Sequence, residues 1–202
     1  PDGQVLSQAG RVDLFTVHES DRGRLRHVAA LCDPKPTRWA RFGQALAIEG
    51  HTLLVGAPGG EVDGVRCGVV QAFDLRRVEA GDVRHIVRVP PPVDARGAGC
   101  GFGASLALEG TTILAGAPGH DLWRAPNGAL QPCDDCGAAW LIDLGSGAVL
   151  AELPPPRPIA SGYFGWSLAR IGEGDAALVL AGQLFVEEES TAPNAGVAVF
   201  TP

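Results

Sequence analysis

The chain has 202 residues, of which 46% are hydrophobic and 19% charged, so it is long and apolar enough to bury a core and is not a disordered chain. Its 16 basic and 23 acidic residues give a net charge of -7, which disfavours nucleic acid as a partner because phosphate binding needs a concentrated basic face. No apolar run approaches the roughly 20 residues that a membrane-spanning helix requires, so no membrane span is expected.

Two strands are predicted near the beginning of the chain, over residues 10–15 and 24–31. A longer unit then begins at Phe42, where a Phe-Gly pair precedes two strands of different character. Alternating residues at 44–48 indicate a strand with one buried face, and the nearly continuous apolar run 52–55 indicates a strand buried on both faces. The two-residue turn between them ends in glycine, which is typical of a β-hairpin.

The same unit recurs twice, beginning at Phe102-Gly103 and at Phe164-Gly165, about 60 residues after the preceding copy. Each unit continues into a third strand that opens with glycine, and the first two units add a fourth strand. The strands predicted for the remainder of the first unit and for the other two units are 68–73, 84–89, 104–108, 112–115, 137–142, 148–153, 166–170, 177–180 and 196–200.

Four antiparallel strands in a repeat of about 60 residues form the blade of a β-propeller. The sequence therefore predicts an all-β fold with a partial blade at 1–40, blades at 41–101 and 102–162, and a blade lacking its last strand at 163–202, all in one propeller. A β-sandwich is the alternative, but a sandwich has no reason to repeat one long motif. About 14 strands are fewer than the roughly 16 of a closed four-bladed ring. We therefore expect an incomplete propeller, which the remainder of the same protein or a second chain completes.

The order of these motifs resembles the FG-GAP repeat of integrin α-chains, across residues 10–200. The resemblance is carried by Phe-Gly, Ser-Leu-Ala at 105–107, Gly-Ala-Pro at 56–58 and 116–118, and Gly-x-Val-x-x-Phe at 68–73. It implies a propeller and a non-catalytic binding or scaffold module that contacts a protein or glycan ligand. The same repeat forms the C-terminal part of glycosylphosphatidylinositol-specific phospholipase D, so the alternative is the accessory propeller of such a hydrolase, with a catalytic zinc domain upstream.

Many members of that family carry a calcium loop, Asp-x-Asp-x-Asp-Gly, between the first two strands of a blade. Here the turns are only Glu49-Gly50, Glu109-Gly110 and 172–175, which cannot supply the six to eight oxygen ligands that calcium prefers. The histidines show no zinc-ligand spacing. We therefore expect no metal, no cofactor and no catalytic residues in this chain.

The loops between second and third strands, and those joining successive units, are long and leave on the same rim of a propeller. Binding sites usually lie on loops that a rigid scaffold presents, so we expect any ligand on this rim. Ordinary solvated loop residues are the alternative interpretation. The candidate binding residues are Asp63, Arg66, His120, Asp121, Trp123, Arg124, Asp134 and Asp135.

Cys133 and Cys136 frame the motif Cys-Asp-Asp-Cys in the longest loop. We expect a disulfide that pins this loop; a zinc site and free thiols are the alternatives. Trp140 and Trp166 are expected to pack within the sheets, and Trp39 to occupy a corner just before a Phe-Gly pair.

The resemblance indicates an extracellular or cell-surface location. The chain contains no methionine, so we expect it to have been processed or cut from a longer protein.

Overall fold

The computed structural model describes residues 7–18, 23–171, 178–184 and 196–200. In these ranges the chain folds into antiparallel β-sheets, and the prediction of an all-β fold is confirmed. In chain order the strands are β1 Val12–His18, β2 Arg24–Leu31, β3 Ala45–Glu49, β4 Thr52–Ala57, β5 Glu61–Val62, β6 Val65–Arg66, β7 Val69–Arg77, β8 Asp82–Val89, β9 Ser105–Glu109, β10 Thr112–Ala117, β11 Leu122–Arg124, β12 Leu130–Pro132, β13 Ala138–Asp143, β14 Val149–Leu153, β15 Ser167–Ile171, β16 Leu178–Gln183 and β17 Gly196–Phe200.

Thirteen of the described strands form four sheets that follow one another along the chain, and the other four form two separate hairpins. Sheet 1 contains β1 and β2, sheet 2 has the order β3-β4-β7-β8, sheet 3 has the order β9-β10-β13-β14, and sheet 4 has the order β15-β16-β17. Each four-stranded sheet is a simple meander of neighbouring strands. The two-residue turns are Gly50-His51 between β3 and β4 and Gly110-Thr111 between β9 and β10, so each lies one residue later than the predicted Glu-Gly turn. The described residues do not close into a ring.

The long loops contain two small hairpins that the sequence did not predict, β5-β6 and β11-β12. The first turns at Asp63-Gly64, where both residues have a positive φ. Asp-Gly is favoured at such turns because glycine and, less readily, aspartate accept the left-handed conformation. The hairpins give the loops their own backbone pairing, so the loops are built structures and not simple linkers.

The core lies between successive sheets. Each β4-type strand is buried along almost its whole length, as in Thr52–Ala57 and Thr112–Ala117, because it lies inside its sheet and is covered on both faces. The phenylalanine of each Phe-Gly pair enters a separate apolar cluster: Phe42, Phe102 and Phe164 are at most 2% exposed. The Phe-Gly pairs therefore mark the places where one sheet packs against the next.

A backbone contact of the same kind joins each pair of successive sheets. Single parallel bridges link Gly10 with Phe42, Gly68 with Phe102 and Gly137 with Phe164. In the last of these, the Phe164 N–H donates to the carbonyl of Cys136 at 2.8 Å. The three Phe-Gly pairs thus lie in equivalent surroundings, as a true structural repeat requires.

A second contact is made by a buried serine at the start of β9. The Ser105 hydroxyl donates to the carbonyl of Gly165 at 2.6 Å, and Ser105 is only 8% exposed. We expect Ser105→Ala to lower the free energy of unfolding by about 1–2 kcal/mol, because the Gly165 carbonyl would lose its partner in a buried place. Urea unfolding measures this. Ser146→Ala, in an exposed turn, is the control, and an equal loss in both variants would contradict the assignment.

Candidate ligand-binding cleft

A cleft of about 310 Å³ lies where the Phe-Gly corners of sheets 2, 3 and 4 converge. We call it the corner cleft. The prolines and glycines that follow β4 and β10 form part of its wall, and side chains from the three corners and two loops form the rest. The side chains with functional groups or aromatic rings are Trp39, Arg41, Gln44, Arg66, Asp135, Tyr163 and Trp166.

The corners place these side chains through an unusual backbone. Trp39, Arg41 and Tyr163 have φ values of 65°, 55° and 52°, in the left-handed region that non-glycine residues rarely adopt. The equivalent positions of the middle corner are Gly99 and Gly101, which adopt a positive φ without strain. Two corners therefore hold residues other than glycine in a strained backbone conformation, which is consistent with a functional constraint on this cleft.

Hydrogen bonds to the preceding sheet's loop hold the corner at sheet 4. The N–H groups of Ser161 and Tyr163 donate to the carbonyls of Asp134 and Asp135 at 2.8 and 2.9 Å. The bond from Phe164 to Cys136 continues the same ladder. The Asp-Asp of the Cys-Asp-Asp-Cys motif is therefore the backbone platform on which the Tyr163 corner sits.

Two tryptophans present their rings to solvent at this cleft. Trp39 is 40% exposed and Trp166 is 52% exposed, and the Tyr163 ring meets the Trp166 ring edge to face at 6.2 Å. The expectation that Trp166 packs within a sheet is wrong, because β15 begins only at Ser167 and leaves Trp166 outside the strand. The expectation is met by Trp140, the other tryptophan predicted to pack within a sheet, which is only 1% exposed.

A carboxylate is fixed beside these rings. The Tyr163 hydroxyl donates to Asp135 Oδ2 at 3.3 Å, and the Asp135 N–H donates to Asp121 Oδ1 at 2.9 Å. On the other side Arg66 is half-exposed, and its guanidinium lies 3.8 Å from the Glu61 carboxylate. The cleft therefore combines exposed aromatic faces with charged hydrogen-bonding groups, an arrangement that suits an amphipathic ligand.

The structure brings only part of the predicted candidate set to this cleft. Arg66 and Asp135 line it, Asp121 positions Asp135, and Asp134 contributes its backbone carbonyl. Asp63 points away into solvent at 85% side-chain exposure and pairs with Arg96 at 3.6 Å.

The other three candidates lie outside the cleft. Trp123 donates its indole N–H to the carbonyl of Pro155 at 3.2 Å. Arg124 bridges Asp94, at 2.7 Å, and Glu152. His120 is not an exposed loop residue, since it is 3% exposed and packs on the Trp140 ring at 5.3 Å.

The corner residues Trp39, Arg41 and Tyr163 were not among the predicted binding residues. Their only sequence signal is their position one to three residues before a Phe-Gly pair, where the middle unit has glycine instead. When the three units are aligned on their Phe-Gly pairs, the first and last units carry aromatic or basic residues just before the pair, and the middle unit carries none.

Cys133 and Cys136 lie at disulfide distance, with their Cα atoms 5.6 Å apart. A bond here fixes the loop that carries the Asp134–Asp135 platform. Cys32, Cys67 and Cys100 are free thiols. Burial raises the pKa of Cys67, and it raises the pKa of Cys100 to about 12, so neither buried thiol is a reactive nucleophile at neutral pH. Within the described ranges, no three metal-ligating side chains cluster.

Burial lowers the pKa of His120, while Glu152, Asp94 and Asp121 partly oppose this through their charge. The folded state then binds fewer protons than the unfolded chain as the pH falls below about 6.5. The contribution of neutral His120 to stability is full above that pH and is lost as the pH falls through its lower folded pKa.

We therefore expect the free energy of unfolding to fall on acidification, and to fall less steeply in His120→Gln. Urea unfolding at a series of pH values measures both slopes. His51→Gln, at an exposed position, is the control. Identical slopes in the wild-type chain and His120→Gln would contradict the assignment.

No family model matches the chain, and no curated protein matches it either. Among solved structures, the chain is similar to Saccharomyces cerevisiae Sqt1, with a TM-score of 0.32 and 10% identity over 94% of this chain and 68% of that one. A similarity of this size supports no conclusion about fold or function. No helix of the described residues is long and apolar enough to cross a membrane.

Proposed function

We propose that the chain is a non-catalytic binding or scaffold module that holds a protein or glycan ligand in the corner cleft. The observation that carries the proposal is the exposure of Trp39 and Trp166 around a single cleft, beside the hydrogen-bonded pair of Tyr163 and Asp135. Aromatic residues make up only 6% of the chain, yet three of them lie together at this one small cleft.

The physical support is that a ligand covering the two exposed tryptophans would remove a large apolar area from water. An indole face buries a large apolar area and offers one N–H donor, which suits both sugar rings and peptide side chains. Tryptophan, tyrosine and arginine are also the residues that carry most binding energy at protein interfaces. Tyr163 and Asp135 are held by backbone and side-chain bonds, so little ordering is required when a ligand binds.

We further propose that the four sheets are FG-GAP-type blades of an incomplete propeller in a secreted or cell-surface protein. The equivalent bridges at the three Phe-Gly pairs support the repeat. The cysteine pair at disulfide distance favours an oxidising compartment, because such bonds persist mainly outside the cytosol. The remainder of the same protein, or a second chain, would complete the ring.

The test is a binding screen against arrays of defined oligosaccharides and of extracellular protein domains, followed by titration of each hit with the purified chain. We expect Trp39→Ala and Trp166→Ala each to weaken binding at least about tenfold, as truncation of an anchor residue does. Phe15→Ala is the matched control, since Phe15 is as exposed as Trp166 but lies on sheet 1. Hits that are insensitive to both tryptophan substitutions, or a screen without hits, would contradict the proposal.

A further inference from the structure

The last-but-one residue of the second strand is a glycine in each of the three Phe-Gly units. In sheets 2 and 3 these are Gly56 and Gly116, and both are buried. A Cβ atom at Gly56 would overlap the carbonyl oxygen of Gly103, and one at Gly116 would overlap that of Gly165. Each glycine is therefore the bare surface on which the Phe-Gly carbonyl of the next sheet rests.

A hydroxyl group completes this contact in sheet 3. Ser105 lies directly across from Gly116 in the β9-β10 ladder, and its hydroxyl donates to the same Gly165 carbonyl at 2.6 Å. The Gly165 carbonyl therefore packs against the Cα of Gly116 and accepts a hydrogen bond from the Ser105 hydroxyl. We call this pair of features the glycine–serine socket.

Sheet 4 carries the same socket at the same place. Ser167 lies directly across from Gly182 in the β15-β16 ladder. Among the described residues, however, the three atoms nearest to a Cβ at Gly182 all belong to Ser167, and none belongs to the backbone of a following sheet. Ser167 is exposed and Gly182 is half-buried, whereas Ser105 and Gly116 are buried beneath the following sheet.

We propose that the face of sheet 4 is a docking site for the Phe-Gly corner of one further repeat unit of this kind. The carbonyl of the incoming glycine would rest on Gly182 and accept a hydrogen bond from the Ser167 hydroxyl. The occupant is argued from continuity, because the interfaces of sheets 2 and 3 already show what covers this surface. The inference rests on the proposal that the sheets are repeat units of an incomplete propeller, and it is independent of the ligand in the corner cleft.

The experiment appends a unit to the full chain. A copy of residues 144–184, which contains a fourth strand, a Phe-Gly corner and a hairpin, is joined after residue 200. We expect the extended chain to melt about 4 °C or more above the original chain, because the new corner covers the socket. Hydrogen exchange in the original 178–184 segment should slow at least tenfold.

The matched variant fills the socket without disturbing sheet 4. Ser167→Ala is compatible with the repeat, because Ala45 holds the equivalent place opposite Gly56. With the hydroxyl removed, Gly182→Ala places its new Cβ next to the retained Cβ of residue 167, which lies 3.6 Å away. In the extended chain we expect this double variant to lose at least half of the gain in melting temperature, while the original chain with the same pair melts within about 2 °C of its parent.

Three outcomes would overturn the proposal. These are no gain on extension, a gain that the double variant leaves unchanged, and self-association of the original chain, in sedimentation, that the double variant abolishes. The last result would assign the socket to a second copy of the chain. None of them bears on the corner cleft, which is tested by ligand binding alone.

Discussion

Gly137→Ala is expected to lower the free energy of unfolding by about 3 kcal/mol or more. Two effects act at this position. Gly137 has a φ of +79°, and its Cβ would lie 2.5 Å from the Phe164 nitrogen and still closer to the Phe164 carbonyl oxygen. Both contacting groups belong to the backbone of the next sheet, so no side-chain rotation can relieve the overlap.

Gly128→Ala is the matched control for this substitution. Gly128 has nearly the same backbone conformation, with a φ of +82°, but nothing lies within 4 Å of a Cβ built there. Its cost should be the conformational one alone, about 1 kcal/mol. The difference between the two variants, measured by urea unfolding, isolates the junction between sheets 3 and 4. Equal losses would show that this junction does not hold the sheets together.

Trp140→Ala is expected to cost about 3–5 kcal/mol of unfolding free energy. Trp140 is 1% exposed and fills the space between sheets 2 and 3, where its ring contacts Phe102 at 6.1 Å and His120 at 5.3 Å. Truncation would leave a large cavity lined by strands that cannot collapse into it, because backbone hydrogen bonds fix them.

The control for this prediction is an exposed tryptophan, Trp166, which lies just before β15. Trp166→Ala removes the same atoms from a site that is 52% exposed, so it should change the unfolding free energy by less than about 1 kcal/mol. The same variant is expected to impair ligand binding. A Trp166→Ala chain as destabilised as Trp140→Ala would show that Trp166 is a core residue and would remove the basis of the corner cleft.

The sequence was sufficient for the all-β fold because its signals are local and repeated. Alternation and continuous apolar runs identified strands such as β4 and β10, and the Glu-Gly pairs located the turns beside them to within one residue. The small hairpins β5-β6 and β11-β12 escaped prediction, because strands of two or three residues are too short to show a period.

The cleft was less predictable than the fold. Of the predicted loop residues, Arg66 and Asp135 line the cleft. Loop residues carry no periodicity that tells buried positions from exposed ones. His120 therefore could not be recognised as a core residue that packs on Trp140. Trp166 was assigned to a strand that in fact begins one residue later, and its ring is 52% exposed.

The bridges at Gly10, Gly68 and Gly137 fasten each unit only to its immediate predecessor. A chain joined in this way behaves as a row of linked segments, in which a defect weakens its own junction and reaches distant ones only through the units between. Evolution can lengthen or shorten such a row by duplicating or deleting whole units. A new unit needs only two features to form such a junction. One is a glycine that leaves room for the backbone of the neighbouring unit, and the other is a phenylalanine that fills the apolar space between the two sheets.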